Sequence, residues 1–134
     1  MSKNHSQRNF IASDIASIAK ATTITEGTDF DSQVIDVTDV DVIVLQGKVT
    51  GGNASASGNV TFTILGTLDD SLWDTVAVAT LVIAMSGASQ IVQSDPLDVR
   101  GYRSLKLGSI QNADASYTAT VVNLKCGKSY GHIQ

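Results

Sequence analysis

The chain has 134 residues, 43% hydrophobic and 16% charged, a balance that suits one globular domain and excludes a disordered or low-complexity chain. Its formal charge of −4 comes with few, dispersed bases that are not interleaved with stacking aromatics, so nucleic acid is not an expected partner. No stretch is apolar enough for long enough to cross a membrane, and the N-terminus lacks an uninterrupted apolar run of signal-peptide length, so no membrane is expected and assembly in a reducing cytoplasm is.

Only 5% of the residues are aromatic, so Val, Ile, Leu and Ala must fill the interior, and the β-branched part of that set favours strands. The charge is divided along the chain. Residues 1–98 hold every acid except Asp114 against Lys3, Arg8, Lys20 and Lys48, whereas Arg100, Arg103, Lys106, Lys125 and Lys128 make residues 99–134 basic. Either this is ordinary mixed surface charge, or it marks complementary faces on neighbouring subunits. Cys126 is the sole cysteine, which excludes an internal disulfide and a multi-thiol metal site, and a buried thiol is expected.

In chain order, residues 1–9 are polar and aperiodic and read as an arm. Phe10, Ile11, Ile15 and Ile18 then recur on one face of a short helix supported by Ala12, Ala16 and Ala19. Such a helix needs something to pack against, either its own domain or a neighbouring molecule. Residues 22–32 read as a connector or short edge strand. An arm and connector over 1–30 therefore precede a β-sandwich over 31–134. Val34 to Leu45 reads as one strand, wet on one face at its start and apolar on both later. The loop GGNASASGN, residues 51–59, predicts an antiparallel hairpin between Val42–Thr50 and Val60–Thr67. Val60, Phe62 and Ile64 alternate with Thr61 and Thr63, the cleanest period-two signal in the chain. Further strands are expected at Thr75–Met85, interrupted near Ala79, and at Ala88–Gln93, Tyr102–Ile110 and Tyr117–Cys126. Seven or eight strands at this spacing predict an all-β, antiparallel, jelly-roll-like sandwich.

Chemistry-bearing patterns are weak. Neither GxGxxG nor GxxxxGK[ST] is present, and the glycine-rich loop leads into a strand, so no nucleotide or other cofactor is expected. The acids include Asp29, Asp31, Asp36, Asp39 and Asp41 upstream and Asp69, Asp70 and Asp74 around Trp73, without a DxDxDG loop and a bidentate Glu, so they read as solvated turns and not as a metal site. His5 and His132 lie in terminal segments and no GxSxG elbow occurs, which argues against an enzyme. Trp73 reads as a corner anchor beneath the turn Leu68 to Ser71. Exposed instead, it could stack on a sugar while Asp69, Asp70 and Tyr102 contact hydroxyls.

The series VTFTILGTLDDSLWDTVA followed by VRGYRSLKLGSI resembles the order of discoidin-like jelly rolls, in which a strand enters an S-x-D-G-x-x-W corner and an R-Y-x-R-L type strand later returns through the core. Thr67, Asp69 and Trp73 fall near the corner positions, Asp70 stands where that pattern has glycine, and one extra residue precedes the tryptophan. Gly101, Tyr102, Arg103, Leu105 and Leu107 follow part of the returning strand. The chain as a whole, with its polar N-terminus and Gly/Ala/Ser/Thr/Val-rich sandwich, also resembles the small β-sandwich virion proteins of tailed bacteriophages, of the capsid decoration or cement type. That resemblance implies a non-enzymatic virion protein partnered by the major capsid protein and by itself, as a homo-trimer or homo-dimer. Phe10, Ile11, Ile15 and Ile18, with Arg100 and Arg103, are the expected contacts. A carbohydrate-binding or host-adhesion module using Trp73, Asp69, Asp70 and Tyr102, or a tail or neck component, is the alternative.

Overall fold

The computed structural model describes residues 5–10 and 17–130. They form ten strands: β1 (His5–Asn9), β2 (Thr22–Thr25), β3 (Ile35–Asp36), β4 (Val42–Gly51), β5 (Asn59–Thr67), β6 (Ala79–Ala84), β7 (Gln90–Gln93), β8 (Leu97–Asp98), β9 (Ser104–Asn112) and β10 (Ala119–Ser129). Every pairing is antiparallel. One sheet runs β1-β10-β4-β7, with β8 also on β4, and the other β2-β9-β5-β6, with β3 also on β9. The two pack as a sandwich, and no helix occurs among the described residues.

The pleat explains the core. Successive side chains point to opposite faces, so Ile43, Leu45 and Val49 of β4 and Leu124 and Cys126 of β10 meet Val60, Phe62 and Ile64 of β5 and Leu105, Leu107 and Ile110 of β9, all buried. Gly47 takes an inward position on β4. A Cβ there would lie 2.9 Å from the Ile83 Cδ1, so the glycine lets a side chain of the opposite sheet fill that space.

Four expectations need correction. Residues 5–9, expected in an arm, pair with β10 from His5↔Ser129 to Asn9↔Lys125, and β2 pairs with β9, so the sheets begin well before residue 31. Phe10 and Ile18 are not free for a neighbour. They are 0% and 1% exposed, and Ile18 forms a bridge with Ala119, so apolar burial within this domain claims them. Ile11 and Ile15, and the body of the expected helix, lie outside the described residues; Phe10 directly follows β1 and Ile18 lies in an extended bridge. The run Val34 to Leu45 is two strands in different sheets. The Asp36 carboxylate accepts the Thr38 N–H at 2.8 Å, Val40 N–H closes on Val37 C=O at 2.9 Å, and Asp39 adopts φ 65°, a left-handed turn that Asp tolerates better than most residues. Finally, β4 and β5 do not form a hairpin. Both are central strands, one in each sheet, and their inward apolar rows meet across the core.

The connection after β4 is held at its far end. Asp114, itself buried, accepts the N–H groups of Ser57 and Gly58 across the sandwich end and those of Ser116 and Tyr117 in its own turn, at 2.8–3.1 Å. These donors favour the charged form and hold its pKa down at about 2 against an ordinary 3.8, the Ser57 bond contributing most. A depressed carboxylate stabilises the fold above its ordinary pKa, and that contribution is lost as pH falls through the folded value. Urea midpoints are therefore expected to fall as pH drops from 3.8 toward 2. An Asp114→Asn variant should show a visibly flatter acid limb in the same titration.

Candidate functional site

The corner between β5 and β6, residues 68–78, gathers the chemistry the sequence singled out. It is organised by Thr67, the last residue of β5 and fully buried. The Thr67 Oγ1 donates to the Leu72 carbonyl at 2.8 Å and accepts the Asp70 N–H at 3.1 Å, closing the turn on itself. Asp69 Oδ1 accepts the N–H groups of Ser71 and Leu72 at 2.9 Å each. Those two bonds, Leu72 first, hold its pKa below the ordinary range. Asp70 has φ 62°, the left-handed conformation that the glycine of the resembled corner pattern would supply. Its carboxylate is depressed by a hydrogen bond from Ser104 and then by the Arg103 guanidinium, whose Nε donates to Asp70 Oδ2.

Thr67 and Trp73 face each other in an antiparallel bridge, and the Arg103 N–H donates to the Thr67 carbonyl at 2.8 Å. Tyr102 packs over Gly66, where a Cβ would lie 2.6 Å from its ring, and donates its hydroxyl to Asp74 at 3.3 Å. Trp73 is half-buried, so it is an anchor for the corner and not part of the core. The Lys106 ammonium sits 4.5 Å from the centroid of its ring and is held there by Glu26 at 3.2 Å. The four residues of the sugar-binding alternative, Asp69, Asp70, Trp73 and Tyr102, thus lie around one corner. The hydrogen-bonding atoms that hold the corner together are turned toward each other and toward Arg103 and the turn backbone.

What the corner presents outward is apolar. Leu68 is 69% exposed, Leu72 77% and Val76 78%, three large side chains on one connection. Sequence reasoning passed over them, treating the turn as wet because of its aspartates. The available signal was two leucines inside an otherwise polar turn, a placement that no strand or helix period demands.

Arg100 and Arg103 are exposed, as a contact role would need, but each is paired within the chain. Arg100 grips Asp98 through Nε and Nη2 at 3.1 and 2.8 Å, which pulls the Asp98 pKa to about 2. Together with the Lys106–Glu26 pair, these bonds set bases of the C-terminal segment against acids of the rest, so part of the charge division is neutralised inside one molecule. Among the described residues no group of three or more His, Cys, Asp or Glu side chains converges to hold an ion. A separate shallow groove of about 440 Å³ crosses the outer face of the β10-β4-β7 sheet, lined by Val42, Val44, Gln46, Gln93, Lys125 and Gly127 and by no aromatic ring.

The Thr67 hydroxyl makes more of the corner's bonds than any other single side-chain atom in it. Thr67→Val keeps the shape and removes the hub, leaving two turn N–H groups and a carbonyl without their partner. The expected cost is about 2 kcal/mol in a urea melt. A loss below about 0.5 kcal/mol would mean the corner is held some other way.

No family model matches the sequence, and no curated protein does. Solved structures match in fold. VP2 of the infectious bursal disease virus subviral particle is 14% identical over 95% of this chain and 33% of its own, with TM-score 0.55. The PBSX exported protein XepA is 11% identical over 96% of this chain and 38% of its own, with TM-score 0.52. The CBM22-1 xylan-binding domain of Paenibacillus barcinonensis Xyn10C is 15% identical over 96% of this chain and 98% of its own, with TM-score 0.51. The chain thus spans about a third of VP2 and of XepA and the whole of the xylan-binding domain. At these identities the likeness is one of fold: a β-sandwich shared by viral-particle proteins, an exported protein and a carbohydrate-binding module.

Proposed function

We propose that this protein is a non-enzymatic structural protein of a phage virion, one that decorates and stabilises the capsid shell as a homo-oligomer. The observation that carries the reading is the corner at residues 68–78. Its internal polar groups are spent on rigidity, while Leu68, Leu72 and Val76 stand in solvent. Exposed apolar side chains on a braced loop are costly in a free monomer and are stabilising once another protein covers them. The major capsid protein is the proposed cover. The fold likeness to VP2 and to XepA supports the same reading, and a tail or neck position in the particle would use the same contact.

The carbohydrate-binding reading draws support from the xylan-binding domain and from the meeting of Trp73, Asp69, Asp70 and Tyr102 at one corner. Against it, Lys106 occupies one face of the indole, and the carboxylates already serve the turn and Arg103. Two assays on the full chain separate the readings. Co-sedimentation with shells of the major capsid protein from the same genome should carry the protein into the pellet at saturable stoichiometry. A glycan array should stay blank. Saturable glycan binding that disappears in Trp73→Ala, with no attachment to shells, would overturn the proposal.

A further inference from the structure

Between Asp74 and Asp95 the chain carries no charged residue. That run builds β6 and β7, which end their respective sheets and pack beside each other on one flank. Sheet edges are normally guarded against pairing by charge, proline or a bulge. β6, Ala-Thr-Leu-Val-Ile-Ala, has none of these, and its register with β5 is unbroken from Asn59↔Ala84 to Ile64↔Ala79. Other edge segments do carry charge: β3 contains Asp36, β8 contains Asp98, and β2 is bracketed by Lys20 and Glu26.

The ladder shows what β6 offers. Met85 N–H donates to the Gly58 carbonyl at 2.9 Å, so by the antiparallel alternation Thr80, Val82 and Ala84 direct their N–H and C=O groups away from β5. The flank also holds Val82, 48% exposed, and Val76 and Ile91, 78% and 60% exposed.

We infer that β6 is a self-association edge, pairing antiparallel with β6 of a second copy about a two-fold axis at Val82. A two-fold contact needs only one surface that complements itself. This register sets Thr80 against Ala84 on both sides and Val82 against its own copy, with no charge to bury or oppose. Six paired residues alone fall short of the roughly 800 Å² per partner of a standard interface. The exposed Ile91 of the neighbouring β7 adds apolar surface on the same flank. The inference stands on the edge itself and does not depend on the virion reading.

Sedimentation equilibrium of the full chain tests it. The wild-type protein should sediment as a dimer, and Val82→Lys, which opposes two ammonium groups at the axis, should halve the mass while leaving the far-UV circular dichroism unchanged. Should that variant misfold, Val82→Cys decides: a short bis-maleimide should link residue 82 to its own copy, with Cys126 shielded by full burial. A wild-type protein that stays monomeric up to about 100 μM, a Val82→Lys variant that stays dimeric, or a Val82→Cys variant that does not cross-link would each overturn the inference.

Discussion

Asn112→Ala is expected to lower the stability of this domain by about 3 kcal/mol, the largest single loss we predict for a polar side chain. Asn112 is fully buried at the end of β9. Its Nδ2 donates to the carbonyls of Ile18, Ala19 and Tyr117 at 3.1, 3.3 and 3.0 Å, and its Oδ1 accepts the Asp114 N–H at 3.0 Å. One amide therefore ties the segment leading into β2, the end of β9 and the start of β10. Truncation removes three bonds to flanking carbonyls and leaves the buried Asp114 N–H without its acceptor, and an orphaned buried group costs more than an average hydrogen bond contributes. Urea unfolding should show a lower midpoint at an unchanged slope, since the surface exposed on unfolding is the same. A loss under about 1 kcal/mol would show that the three segments are joined chiefly by apolar packing.

The second large effect concerns attachment. Leu72→Asp combined with Val76→Asp should weaken binding to the capsid shell by more than about 100-fold. Each wild-type side chain contributes roughly 1.5–3 kcal/mol when covered, and each aspartate adds a charge that the interface must desolvate. Both positions are already solvent-exposed in the free protein, so its own stability should move by less than about 0.5 kcal/mol. That contrast separates a docking surface from a structural one.

Much of the fold was legible because the pleat writes itself into the sequence. The alternation of Val60, Phe62 and Ile64 with threonines places β5, and the runs that become β6, β7, β9 and β10 stand between recognisable turns. Sheet partnership was harder. The apolar run Val34 to Leu45 hides a turn built from Asp36 and from Asp39 in the left-handed region, where a glycine would have announced it. β4 and β5 are adjacent in sequence and separated by a glycine-rich loop, which suggests a hairpin. Periodicity shows that each has an apolar face, and nothing in it says which sheet that face belongs to.

The N-terminal segment failed for a related reason. Its residues 5–9 are polar because β1 is an edge strand that gains its stability from backbone pairing with β10, which composition does not record. Phe10 and Ile18 satisfied a helical spacing, yet they enter the core from extended chain. At the corner, the partial match of Thr67, Asp69, Asp70 and Trp73 to a known turn pattern located the right residues. Their roles became clear only from partners distant in sequence, Arg103, Ser104, Lys106 and Glu26, which occupy the groups a sugar would need.

We propose this corner as a rigid platform for protein contact. Its most direct test is quantitative co-sedimentation with capsid shells of the wild-type chain, the Leu72→Asp/Val76→Asp variant and Trp73→Ala. Saturable attachment of the wild-type protein is expected, with loss of attachment in the double variant at an unchanged melting curve and near-normal attachment for Trp73→Ala. Full attachment of the double variant, with attachment abolished only by Trp73→Ala, would contradict it.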